Sequence, residues 1–191
     1  MNKTFAQDLS GTETFPIVDE QGNVVGKATR QECHSGSHIL HPVVHLHVLN
    51  REGQLYLQKR SMSKFIQPGK WDTAVGGHVD YGETIEQALR REAREEIGLS
   101  RFAPILLLRY IYDSEVEREM VHTFYTRVDN PLFCLDPAEV EEGKFWPIEQ
   151  IIATIGQGIF TPNFEEEFIK IKNRLQWALT TQFNTRYQAL S

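Results

Sequence analysis

Apolar and polar positions alternate between strand-like and helical periods along this chain, and the changes mark its elements. "FPIVDEQGNVVGKATR" is an apolar run, a Gln-Gly-Asn turn and a second apolar run, which predicts a short hairpin. "HPVVHLHVLN" and "LYLQKR", separated by "REGQ", predict two strands joined by a Gly-containing loop. On the first of these, Val44, Leu46 and Val48 point to one face, and His45 and His47 to the other. "IQPGKWDTAVGGHVD" is punctuated by Pro-Gly and Gly-Gly around a short apolar piece, so loop and strand are expected there. After a helical segment, "ILLLRYIYDSE" and "REMVHTFYTRV" predict two more strands around an acidic turn. "LDPAEVEEGKFW" reads as an acidic loop ending on an apolar pair, and "PIEQIIATI" as a short helix with Pro147 in its first turn. From Asn163, taken as the N-cap, Phe164, Phe168, Ile171, Leu175 and Ala178 trace a final amphipathic helix. Its apolar seam suits packing on its own domain or on a second subunit in a homodimer. The order of elements makes the class α/β or α+β with a mixed sheet. Residues 1–13 read as a flexible polar lead-in and 14–191 as a single domain with a C-terminal amphipathic helix.

The helical segment "GGHVDYGETIEQALRREAREEIGLS", residues 76–100, breaks the usual rule for its inward face. Thr84 with Gln87 makes a capping box, and Gly98 is a stop signal. Ile85, Ala88 and Leu89 set the buried stripe. At about 100° per residue, Glu92 and Glu96 continue that stripe and Glu95 lies at its edge. Arg90, Arg91 and Arg94 are expected on the opposite side. Inward carboxylates without a counter-charge are costly. Three of them on one face suit a hard divalent cation, Mg²⁺ above all, which takes oxygen ligands and substrate phosphates.

Composition narrows the partners. The chain has 191 residues, 40% hydrophobic and 24% charged, with a formal net charge of −6. That balance, without a basic block, argues against nucleic acid. No stretch has the length of a membrane span. The opening "MNKTFAQDLSGTETF" has no apolar signal core, and Cys33 and Cys134 make no disulfide framework, so a cytoplasmic setting is expected.

From Gly77 to Leu99 the spacing resembles the Nudix box of Nudix hydrolases. Gly77, Glu83, Arg91, Glu92, Glu95, Glu96, Gly98 and Leu99 all match. Ala93 stands where a larger aliphatic is usual. The resemblance implies a Nudix fold, a mixed β-sheet in an α/β/α sandwich. It implies Mg²⁺ or Mn²⁺ on Glu92, Glu95 and Glu96 beside the Gly76 backbone, and a Glu83–Arg91 pair that fixes the helix. The implied reaction is hydrolysis of a small-molecule diphosphate, a nucleoside diphosphate linked to another moiety or a related compound. The general base stays open between Glu92 and Glu95, with Glu139, Glu141 and Glu142 as loop alternatives.

A second stretch, "VDEQGNVVGKATRQECHSGSHILHPVVHLHVLN", is similar to the opening of type 1 isopentenyl-diphosphate isomerases, which share the fold. By local motif that resemblance implies a second ion, Zn²⁺ or Mn²⁺, on His34, His41, His78, Glu117 and Glu119. It also implies that Arg60 and Lys64 hold diphosphate. The isomerases, however, carry a catalytic cysteine where this chain has Gly76, and they lack acids at positions 92 and 95. An isomerase-like Nudix hydrolase is therefore the expected function. An isomerase of prenyl diphosphates ranks second, and a non-catalytic binding module third because no box acid is lost. Of the remaining aromatics, Trp71, Phe145 and Trp146 are expected in the core, and His122 on the sheet or surface.

Overall fold

The structure is a computed structural model that describes residues 13–64, 66–129 and 131–188, with side chains through 177. The lead-in expected over 1–13 lies outside the described residues except for Glu13, which pairs with Arg30 at 3.0 Å. The expected hairpin is present as β1 (Thr14–Val18) and β2 (Val24–Thr29), antiparallel. Its turn forms because the Asp19 carboxylate accepts from the backbone of Gln21 and Asn23 at 3.0 and 2.8 Å. Thr29 then opens a single helical turn, α1 (Arg30–Cys33), through a reciprocal capping box with Glu32.

The large sheet is built from β3 (Leu40–Leu49), β4 (Leu55–Arg60), β5 (Trp71–Asp72), β6 (Val75–His78), β7 (Ile105–Asp113), β8 (Arg118–Arg127) and β9 (Val140–Trp146). Its path runs β5-β4-β3-β8-β7, with β6 on β3 and β9 on β4. The pairing of β3 with β8 is parallel and the other pairings are antiparallel, so the sheet is mixed. β3 holds β4 at Val48 and Leu49 and holds β6 from Val43 to Leu46. One central strand thus holds β4, the glycine-rich β6 and β8 together.

Helices cover both faces, giving the α/β/α sandwich. Val44, Leu46 and Val48 pack with Ala88, Leu89, Ala93 and Ile97 of α2 (Ile85–Ile97). On the other face Leu49, Leu55 and Leu57 meet α3 (Ile148–Thr154) and α4 (Pro162–Gln188), whose Phe164, Phe168, Ile171 and Leu175 are all buried. Burying each such side chain contributes about 1.5–3 kcal/mol. The seam of α4 therefore packs on its own domain. Trp71 and Trp146 lie in this core and Phe145 packs against the α2 side, as expected. Among the described residues no helix is long and apolar enough to cross a membrane.

Three local expectations are corrected. Residues 140–146 are a strand, where an acidic loop was expected. Val140 and Trp146 are buried, Glu141 and Glu142 face solvent, and Gly143 lets Tyr56 lie against the backbone, where a Cβ would overlap its hydroxyl. Charged residues on the open face of an outer strand conceal the alternation. The cap of α4 is Thr161 and not Asn163: its hydroxyl accepts from the Phe164 N–H at 3.2 Å, with Pro162 in the first helical position. Pro147 stands one residue ahead of α3 as its N-cap, without a side-chain hydrogen bond.

Candidate active site

α2 begins and ends as its sequence requires. Thr84 and Gln87 form the capping box. Gly98 adopts φ 70° at the other end, where its N–H and that of Leu99 close on Arg94 and Ala93. This framing turns Glu96 inward to 9% exposure and leaves Glu92 half-buried, while Glu95 is exposed. Glu92 lies so close over Gly77 that a Cβ there would overlap its carboxyl, which is the physical reason for glycine at 77. Glu96 accepts from the Gln58 amide at 2.9 Å and from the Gly76 backbone N–H. Burial pushes Glu92 up to about 7 and Glu96 up to about 8, each aggravated by the neighbouring carboxylates.

Arg91 answers part of that charge, and it does not sit on the far side of the helix as expected. It holds Glu83 by two 2.9 Å hydrogen bonds, Glu92 at 2.7 Å, Glu95 at 3.4 Å and the His78 carbonyl at 3.0 Å. The Arg91 hydrogen bonds hold Glu83 below its ordinary range. One guanidinium thus ties the loop before α2, the helix and the end of β6 into a unit. The donor set is all oxygen, and burial makes two of its carboxylates poor ions without a further positive charge. Those are the terms on which a hard divalent cation fits.

The second group of residues gathers on the opposite face, from the C-cap of α1, from β3 and β6, and from the start of β8 and the residue before it. One ring nitrogen each of His34, His41 and His78 lies within 4.8 Å of the others. His34 meets Glu117 at 2.6 Å through Nδ1 and His78 at 3.0 Å through Nε2. Glu119 stands 3.9 Å from both His41 and His78. His41 donates Nδ1–H to the Ile39 carbonyl, which leaves its Nε2 buried without a protein partner. Phe15 stacks on His78 at 4.4 Å and closes that side. Burial lowers both His41 and His78, keeping them neutral, and pushes Glu119 up to about 8. The hydrogen bond from His34 lowers Glu117. Neutral imidazoles converging with an orphaned nitrogen and a strained carboxyl fit a borderline cation such as Zn²⁺ or Mn²⁺.

Arg60 and Lys64, the pair expected to hold diphosphate, join neither group directly. Arg60 contacts Asp72 at 3.4 Å and the Ile66 carbonyl at 3.1 Å, while Lys64 pairs with Glu139. Of the proposed loop bases, Glu139 is near enough for its charge to raise Glu96. Glu141 and Glu142 belong to β9, not to a loop; both are exposed and Glu141 is paired with Lys59 at 2.9 Å. His122 sits half-buried in β8 with Nδ1 on the Met120 carbonyl.

Glu167 escaped the sequence reading. It is 1% exposed on α4 and holds His45, His47 and Tyr110 at 2.6, 2.5 and 2.8 Å. The signal was available, since Glu167 stands in the stripe of Phe164, Phe168 and Ile171 as Glu96 stands in that of α2.

The description "NUDIX domain" matches residues 39–167. An uncharacterised Nudix hydrolase of Yersinia pestis is 32% identical over 151 residues, 79% of this chain and 81% of that one. An isopentenyl-diphosphate Delta-isomerase of Photorhabdus laumondii is 30% identical over 167 residues, 83% of this chain and 94% of the relative. Among solved structures, the DR0079 protein of Deinococcus radiodurans superposes with a TM-score of 0.71 at 27% identity, over 83% of this chain and 99% of its own.

Proposed function

The chain belongs to the NUDIX domain family, and from that premise we propose that it hydrolyses a diphosphate linkage in a nucleoside diphosphate joined to another moiety or in a related organic diphosphate. The observation that carries this reading is the inward pair Glu92 and Glu96, which burial makes unfavourable as ions. Glu92, Glu95 and Glu96, with the Gly76 backbone, are the residues we assign to Mg²⁺ or Mn²⁺. A bound divalent cation would supply charge neutralisation at the diphosphate oxygens and a more acidic attacking water. Glu92 or Glu95 orients that water or takes its proton, with Glu139 as the remaining loop candidate. Arg91, held by Glu83, keeps Glu92 and Glu95 aimed. Arg60 and Lys64 exchange Asp72 and Glu139 for substrate phosphate.

His34, His41, His78, Glu117 and Glu119 are the residues we assign to a second ion, Zn²⁺ or Mn²⁺, on the strength of the orphaned His41 Nε2. The same set favours a second reading, isomerisation of a prenyl diphosphate. Against it stands Gly76 in the cysteine's place: Cys33 is buried beside Phe15 with its thiol pushed up to about 11, and Cys134 packs on Gly98. The packing of Phe15 on the histidines and of α4 on the core supports one domain over 14–191. The two free cysteines support a reducing, cytoplasmic setting.

The test is phosphate release over a panel of nucleotide, sugar-nucleotide, dinucleotide, coenzyme A and prenyl diphosphates with Mg²⁺ or Mn²⁺. Isomerisation of isopentenyl diphosphate is read in parallel. Metal-dependent release from one class is expected. Isomerisation without release would reverse the choice.

A further inference from the structure

Glu167 is ionised in spite of its burial, because His45 and His47 hold its carboxyl well below the usual range. A carboxylate only accepts hydrogen bonds, so His45 Nδ1, His47 Nε2 and the Tyr110 hydroxyl are donors to it. The other nitrogen of His47 lies 3.4 Å from the Thr73 hydroxyl. His45 differs: among the described residues its Nε2 makes no hydrogen bond, and its side chain keeps 17% exposure.

The surroundings of that nitrogen are polar and connect both groups of site residues. His45 pairs with Gly76 across the β3–β6 ladder and with Thr123 across the β3–β8 ladder. A Cβ at 76 would lie 3.4 Å from Cδ2 and 3.6 Å from Nε2, so glycine leaves this ring edge uncovered. The Thr123 hydroxyl is buried without a partner. Glu119 of the histidine group and Asp72, the partner of Arg60, both act on the ring electrostatically. His45 therefore stands beside Gly76, whose backbone is assigned to the first ion, and four residues along β3 from His41 of the histidine group.

We infer that His45 Nε2 contacts substrate, taking a hydroxyl or other oxygen of the moiety beyond the diphosphate, and that Glu167, Tyr110 and His47 are its positioning frame. This rests on the diphosphate reading above and names its substrate class: a hydroxyl-bearing organic diphosphate, such as a nucleoside or sugar derivative, rather than one with a hydrocarbon tail. A ring nitrogen gives one hydrogen bond whether it donates or accepts, and a ligand that cannot meet it strands a desolvated polar atom. Sites built around a substrate hydroxyl reject analogues that lack it for this reason.

Binding, measured by calorimetry with Mg²⁺ present, tests the inference without requiring turnover. The probes are adenosine 5′-(α,β-methylene)diphosphate, the methylene-bridged analogue of geranyl diphosphate, and methylenediphosphonate. Wild-type protein is expected to bind the adenosine probe at least about tenfold more tightly than the geranyl one, the worth of one well-made hydrogen bond. In His45→Phe that preference is lost, while methylenediphosphonate binds within about twofold of wild type. Glu167→Gln, which keeps its shape, moves the ratio in the same direction and serves if His45→Phe does not fold. An unchanged ratio in the variants overturns the inference, as does equal weakening of all three probes, which would make the cluster a structural clamp only. A wild-type preference for the geranyl probe overturns it too. The expected ratio in a protein that releases no phosphate would support the His45 contact and refute hydrolysis.

Discussion

Arg91 shows how much one side chain can organise. Its guanidinium spans Glu83, Glu92, Glu95 and the His78 carbonyl, a reach that lysine, with a single ammonium, cannot copy. Arg91→Lys is expected to lower kcat by about tenfold or more while a bound metal ion is retained, read by steady-state kinetics and a Mn²⁺ titration. Burial of Glu96 makes a second prediction, for protein stripped of divalent ions. Its folded pKa of about 8 lies above the ordinary value of 4.5, so the folded state holds a proton the unfolded state has released. Stability from this group is present at low pH and lost as pH rises toward 8. His41 and His78 act in the opposite sense, but only below about 6.5, where the unfolded histidines charge. The melting temperature should therefore fall between pH 6.5 and 8 and fall less in Glu96→Gln. Glu92, Glu119 and His45 act in the same sense, so an equal fall in the two proteins would show that Glu96 is not buried as an acid.

At the scale of elements, α2 was legible because its chemistry is local. Cap, stripe and carboxylates lie within one helix, and helical geometry alone brings them together. The histidine group and Glu167 draw on strands far apart in sequence, and no period relates His78 to His34 or Glu167 to Tyr110. Only the family resemblance placed the first group, and the second was missed. β9 was hidden for another reason: its exposed Glu141, Glu142 and Lys144 carry the composition of a loop, while the alternation survives only at Val140 and Trp146. The cap of α4 separates the two readings of that segment by experiment. Thr161→Ala should cost about 1 kcal/mol and Asn163→Ala little, compared by the urea midpoints of the two variants. The reverse order would restore Asn163 as the cap.

For the whole molecule, the central strand β3 lies between the two groups of candidate residues, one toward each of its faces. Val44 and Leu46 support the box helix from one side, and His41 and His45 reach toward the other. The glycine pair of β6 lies at the crossing, Gly77 under Glu92 and Gly76 beside His45. The proposal of two separate ions on one sheet leads to a further expectation. His41→Gln should reduce the bound Zn²⁺ or Mn²⁺ found by elemental analysis, with Mg²⁺ binding at the box unchanged. Loss of both together would mean a single shared centre.

The central claim is that the inward carboxylates of α2 hold the ion that drives diphosphate hydrolysis. Its most direct test is Mg²⁺-dependent phosphate release by wild-type protein and by the Glu95→Gln, Glu96→Gln double variant, on the best substrate of the panel. Release in the variant should fall by about a hundredfold or more, with the circular dichroism spectrum unchanged. Equal release by the two proteins would contradict the claim.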